Sequence, residues 1–442
     1  MVERDVASLV EWERGRFIPG VTLEDAEMAL ALRLAAEDRL AIEPIAGGIR
    51  VSATSWVGVV CLRDVEIRVV PKYAGGDLGV LRMLDYASGL PSLGIYEDAL
   101  RSLHAEGSSL VDLLGWLLAD RTARIVRDGL LADYVHRDEE LRVLRGRLRV
   151  MDQVREHFGR IETLECAYDE HETDILENRI LAGALGIAQR ACRDPEVVSR
   201  VAMLRGVLDE ACEGRAIDAE LARGVLEYNR RNEHYRAAHE IAWLFLERAA
   251  IDDVFAAGRI SSFAFLIDMN LLFEDFVTRL LRDALEPAGT RVLAQRRDRS
   301  IIENELTGRP YGTIIPDILL DDRRLGLRPI RLPVDAKYKL YDLRHLDPAD
   351  VYQAFFYAYA YHRPSGDDLG IPAALLMYPS TEAGIRTALR VRRADGTATA
   401  RIRALGVDIP RVIAAIDTRS IWSLPEILEI RSILGHIISA TA

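Results

Sequence analysis

Lysine is almost missing from this chain. Of its 57 basic Lys and Arg residues only Lys72, Lys337 and Lys339 are lysines. Arginine supplies generic positive charge, so a retained lysine points to a task that arginine does poorly. An ammonium is a compact point charge, and it can give up its proton. Cysteine is scarce too. Cys61, Cys166, Cys192 and Cys212 lie far apart without metal-ligand spacing, which excludes a disulfide framework and a cysteine-based zinc site. They read as reduced, packed thiols of a cytoplasmic protein. No apolar run is long enough to span a bilayer, and the polar start, Met1-Val-Glu-Arg-Asp, is not a secretory leader. A soluble chain without a membrane partner is expected. No Gly-Lys-Ser or Gly-Lys-Thr occurs, so there is no phosphate-cradling Walker A loop and no expectation of nucleotide hydrolysis by this chain alone. Positive charge is in deficit overall: the net charge is −12, which works against polyanion binding over the whole surface and leaves it to local basic patches or a basic partner.

What is present is a chain of 442 residues, enough for several domains with a sizeable core. Residues 1–75 read as a small β-rich domain: a helix starting at Thr22-Leu-Glu-Asp25, then strands over 40–45, 49–53, 57–62 and 65–70 with a Gly47-Gly48 turn. Residues 76–255 are mainly helical, with a β excursion near 134–150. Residues 256–442 form a third region. In it a broad apolar stripe from Phe265 to Leu280 predicts a helix over 263–285 that also carries Glu274 and Asp275. Short strands follow at 291–295, 314–320 and 330–340, then a helix over 348–361 with Gln353, then a strand over 372–378. Asp395-Gly396 marks a later hairpin, and one or two helices close the chain. Three arginine clusters are candidate nucleic-acid contacts: Arg142, Arg145, Arg147 and Arg149; Arg291, Arg296, Arg297 and Arg299; Arg386, Arg390, Arg392 and Arg393. His234 and His239 lie five apart, off a common helical face, which argues against a metal pair.

The most informative stretch runs from Tyr311 to Lys339. Asp321-Asp322-Arg323-Arg324 reads as the turn of a hairpin between its two apolar runs. Side chains alternate along a strand, so Asp335 and Lys337 share one face, and Asp317 on the neighbouring strand can join them. Buried carboxylates need a cation, either a side chain or a metal. Oxygen ligands without His or Cys suit Mg²⁺, with Mn²⁺ as the substitute.

Glu274, Pro316-Asp317, Asp335-Ala-Lys337 and Gln353, on elements in the order αβββαβ, resemble the PD-(D/E)xK nuclease superfamily. The resemblance implies that Glu274, Asp317 and Asp335 bind a divalent metal, that Lys337 orients or activates the attacking water, and that Gln353 supports them. Further stretches resemble the McrC family, the nuclease subunit of McrBC-type modification-dependent restriction systems: Val70-Pro-Lys-Tyr73, Leu81-Arg-Met-Leu-Asp-Tyr86, Leu144-Arg-Gly-Arg-Leu148, Cys166-Ala-Tyr-Asp169, Leu272-Phe-Glu-Asp-Phe-Val277 and Asp350-Val-Tyr-Gln353. The expected fold class is therefore α+β multidomain: a small β-rich N-terminal domain, a helical middle and a C-terminal PD-(D/E)xK nuclease domain. The expected activity is Mg²⁺-dependent DNA cleavage. The implied partners are DNA, a hexameric McrB-like AAA+ GTPase that this chain stimulates, and a second copy for double-strand cutting. A non-catalytic scaffold or activator and a stand-alone repair nuclease are the alternatives.

Overall fold

Acidic caps and glycine turns set the first elements of the chain. The helix Asp25–Ala36 starts at a capping box in which Glu24 and Glu27 exchange bonds with each other's backbone. Gly47, at φ +81°, turns the chain between Leu40–Ile45 and Gly48–Ala53, which pair antiparallel with Arg16–Pro19 on the far side. A second group of strands places Asp5–Val10 parallel to Val65–Val70, itself antiparallel to Trp56–Cys61. The expected single sheet is thus two. The first strand went unforeseen because its partner is some sixty residues away. The computed structural model describes residues 5–88, 97–105, 107–158, 160, 162–212, 217–250, 262–322, 330–339, 341–342, 345–362 and 371–441.

The chain divides into two compact units, residues 1–105 with 266–442, and residues 106–265. The second is built on the helices Leu110–Asp128, Leu176–Ala191, Pro195–Ala211 and Arg236–Arg248. Its β excursion is a three-stranded sheet in which Leu164–Glu172 lies between Asp133–Leu141 and Arg147–Leu148. The mixed α+β, multidomain character expected from the sequence is what the chain adopts. Among the described residues, no helix is long and apolar enough to cross a membrane.

The first unit carries a six-stranded sheet in the order Thr290–Ala294, Ile318–Asp322, Ile330–Ala336, Ala373–Pro379, Ala398–Val407, Gly384–Arg392. The first three strands run antiparallel, and Ile330–Ala336, Ala373–Pro379 and Ala398–Val407 run parallel. The helix Pro348–Tyr361, capped by Asp347, packs Ala354 and Ala358 on Ala374, Ala400 and Ile402 of one sheet face. Gly396, at φ +88°, forms the turn joining the last two strands.

Three expectations for this region are corrected. Residues 263–268 are not helical. Phe263–Asp268 is a strand whose first five residues are apolar and buried, and the helix Met269–Leu285 begins only where Asp268 caps it by accepting the Asn270 N–H. The run 314–320 is not one strand. Ile314 ends an unforeseen hairpin, Asp298–Asn304 with Arg309–Ile314, and a new strand starts at Ile318. Pro316 has no N–H to continue a ladder, so the chain breaks there. Finally, Asp321 and Asp322 are buried strand residues and not turn residues, while Arg323 and Arg324 lie outside the described residues.

Candidate active site

The break at Pro316 frees Asp317 from the ladder, while its carbonyl still accepts the Gln295 N–H at 2.9 Å. Its carboxylate turns across to the end of the neighbouring strand, where Oδ2 accepts the Ala336 N–H at 2.9 Å. Antiparallel pairing of Ile318 with Val334 sets this register. Asp335 comes from the same strand and is 1% exposed. Lys337 follows the strand's end, fixed by its own N–H to the Met377 carbonyl at 2.8 Å. Its Nζ stands 3.0 Å from Asp335 Oδ1 and 3.7 Å from Asp317 Oδ2.

The Asp335 carboxylate has an uncommon environment. Both of its oxygens are buried, and the contact made to them is the Lys337 ammonium, an ion pair 3.0 Å from Oδ1 and not a well-formed hydrogen bond. Burial pushes its carboxyl up, to about 7. The Asp317 charge adds to the rise and Lys337 opposes it. For Lys337 burial works downward, but the two carboxylates outweigh it and hold the ammonium above its ordinary value.

Glu274 lies half-buried on the Met269–Leu285 helix and is held by the side-chain amide of Gln295. Burial raises its carboxyl above the ordinary range against that hydrogen bond, and the fields of Asp317 and Lys337 both reach it. Gln353 is one step removed. Its amide donates to the Tyr357 hydroxyl at 3.0 Å, and that hydroxyl donates to the Ile315 carbonyl at 3.0 Å, just before Asp317. The fold therefore gathers Glu274, Asp317, Asp335 and Lys337, with Gln353 behind Tyr357. Lys339 is separate. It pairs with Asp350 at 2.6 Å and Asp347 at 3.5 Å at the start of the Pro348–Tyr361 helix.

Sequence reading gives neither Gln295 nor Tyr357 a part in the site. Gln295 has φ +48° immediately after a strand, which no local pattern announces. Tyr357 looked like one aromatic among several on an apolar helix.

The donor set fits a hard divalent cation. It offers carboxylate oxygens only, two of them buried without a hydrogen bond. Among the described residues, the three groups whose ligand atoms all lie within 4.8 Å of one another are others: Glu140, His157 and Glu165, in the 106–265 unit. There His157 Nε2 is 3.0 Å from Glu165, which also has Arg149 at 3.8 Å, so the cluster's groups already engage one another. Both ring nitrogens of His239 are engaged, by the Tyr228 hydroxyl and the Glu177 carbonyl, and burial lowers its imidazole to about 4.

Comparison with known proteins settles the family. Residues 51–379 match the model of the McrBC 5-methylcytosine restriction system component. The chain belongs to that family. The McrBC-type restriction component read from the sequence is what the match shows. Among solved structures, a refined half-complex from a tetradecameric assembly of Thermococcus gammatolerans McrB AAA+ hexamers with bound McrC is similar at 17% identity and TM-score 0.59, covering 93% of this chain and 99% of that one. The cryo-EM structure of the Thermococcus gammatolerans McrBC complex is similar at 22% identity and TM-score 0.46, covering 63% and 88%. The first likeness shows a shared fold. No curated protein matches the chain.

Proposed function

We propose that this McrBC-family chain is the McrC-type nuclease subunit, a Mg²⁺-dependent DNA endonuclease of the PD-(D/E)xK kind. The observation that carries the reading is the Asp335 carboxylate, buried with both oxygens open beside Asp317 and 3.0 Å from the Lys337 ammonium. A structural acid would have its lone pairs filled by donors. This one is held in readiness for a ligand.

Asp335 and Asp317 would hold the metal, with Glu274 completing the set from the helix side. A bound divalent ion supplies a water of lowered pKa and neutralises charge developing on the scissile phosphate. The chain's own groups do the rest. The Ala336 N–H and the Gln295 amide hold Asp317 and Glu274 in place. Lys337, kept protonated by the two aspartates, aims a fixed positive charge at the phosphate oxygens. Gln353 and Tyr357 brace the Ile315–Asp317 backbone from the neighbouring helix.

The similar structure named for McrB AAA+ hexamers with bound McrC supports a hexameric AAA+ partner, and the family resemblance makes that partner a GTPase. A double-strand cut further requires two copies of this site to meet. The test is a DNA cleavage assay with the cognate motor, comparing wild type with Asp335→Ala and Lys337→Ala. Loss of cutting in both, with motor stimulation retained, is expected. Retained cutting would refute the assignment. Strong cutting by the isolated chain would favour a stand-alone nuclease instead.

A further inference from the structure

The three arginine clusters seen in the sequence have different fates in the fold. In the first, Arg145 pairs with Glu170 at 2.7 Å and Arg149 with Asp152 at 2.7 Å. In the second, Arg296 pairs with Asp298 at 3.3 Å, while Arg291, Arg297 and Arg299 are exposed. The third gains charge. Along the edge strand Gly384–Arg392 the residues alternate, with Leu389 and Val391 packed toward the Pro348–Tyr361 helix and Arg386, Arg390 and Arg392 exposed on the other face. The neighbouring strand Ala398–Val407 adds Arg401, directly opposite Arg390, and Arg403, opposite Ala388.

Two arginines directly across a sheet repel, and such a pair is destabilising. Arg386 is met by Glu382, but among the described residues no carboxylate lies within ion-pair distance of Arg390, Arg392, Arg401 or Arg403. An edge strand does use charge to block stray strand pairing, yet that duty needs no second row on the inner strand. In a chain of net charge −12, a two-strand arginine ladder left without counter-charges is complementary to an external polyanion.

The ladder is distinct from the cleavage site. Asp335 shares its row across the sheet with Leu376 and Ala404, whereas Arg403 lies in the adjacent row with Leu375 and Val334. Alternation therefore puts the ladder on the opposite sheet face, two and three strands from the one that carries Asp335.

We propose that Arg390, Arg392, Arg401 and Arg403 form a second surface that grips the phosphate backbone of double-stranded DNA away from the cleavage site. The choice of DNA rests on the nuclease reading above; the need for a polyanion does not. Guanidinium groups on adjacent strands contact phosphates without reading bases, so the surface contributes affinity and orientation and no sequence preference.

The test is duplex DNA binding by the full chain in EDTA, where cutting is silent, over a salt series. Wild type is compared with Arg390→Ala/Arg392→Ala/Arg401→Ala and with the matching triple Lys variant. Each phosphate contact contributes roughly −0.9 to the slope of log affinity against log salt, so the triple Ala variant should lose roughly two to three units of slope and at least about tenfold in affinity. The Lys variant should restore most of both. Unchanged affinity and slope in the Ala variant would overturn the proposal, as would a wild-type chain that does not bind duplex DNA. Self-association of the Ala variant with undiminished DNA binding would show the arginines to be edge guards only. If the ladder binds DNA as described but no combination with the motor cuts it, the nuclease reading fails and the ladder stands.

Discussion

Two carboxylates in the same unit are buried almost equally and are satisfied differently. Glu11, at 2% exposed, and Asp335, at 1%, are each pushed up by burial to about 7, and each sits beside one of the chain's three lysines. Glu11 Oε1 accepts the Lys72 N–H at 2.6 Å and the Tyr338 hydroxyl at 2.8 Å. Tyr338 in turn lies against Phe273, ring centroids 5.7 Å apart, next to Glu274 on its helix. Glu11 thus ties the N-terminal strands to the backbone that carries Lys337. Asp335 accepts no hydrogen bond and faces a second negative charge at Asp317. Burial alone does not mark a functional acid. What distinguishes the two is that Glu11 has one oxygen held by two donors and only Oε2 open, whereas neither oxygen of Asp335 accepts a hydrogen bond.

The sharpest way to break this contrast is to neutralise each acid in turn. Asp335→Asn should reduce cleavage to background and raise the unfolding temperature of the metal-free chain, because a like-charge repulsion and a desolvated charge are both removed. Glu11→Gln should leave cleavage within a few-fold of wild type. A Glu11 variant as inactive as the Asp335 one would erase the distinction. Next in size is Lys337→Ala, which should cost about 10²–10³-fold in cutting rate if its charge acts on the phosphate, measured in single turnover with the motor present.

Ligand linkage separates the two sites by a different observable. Mg²⁺ at about a hundred times its Kd should stabilise wild type by about 2.7 kcal/mol in thermal unfolding. Glu11→Gln should respond as fully, and Asp335→Asn should not respond. The smallest expected effect concerns pH. The native Glu11 carboxyl keeps a proton that the unfolded chain releases between about pH 4.5 and about 7. This group's contribution to stability is therefore greatest at low pH and is lost as pH rises through that window, by at most about 1.4 kcal/mol per unit. Glu11→Gln should flatten that part of the stability profile, read from denaturant midpoints across pH. An unchanged profile would mean that Glu11 is ionised in the native chain.

Much of the site could be read before folding was known because it is local. Asp335 and Lys337 are two residues apart, Asp317 precedes an apolar run, and the scarcity of lysine singled out Lys337. What escaped was set by register and breaks. Pro316 ended a strand that composition alone would have continued, and Asp268 capped a helix that the apolar stripe had begun too early. Lys339, equally rare and two residues further on, proved to be an anchor for Asp350.

The sequence by itself determined which residues could serve: alternation along one strand, an acid on an apolar helix, a lysine where arginine is the habit. Only the tertiary structure decided which of them meet. It brought Gln295 to Glu274, the Ala336 N–H to Asp317, and Arg401 opposite Arg390. The physical reason is range. Backbone geometry fixes side-chain direction over two to four residues, whereas pairing between strands depends on burying their apolar faces together, a property of the whole core that no short stretch of chain contains.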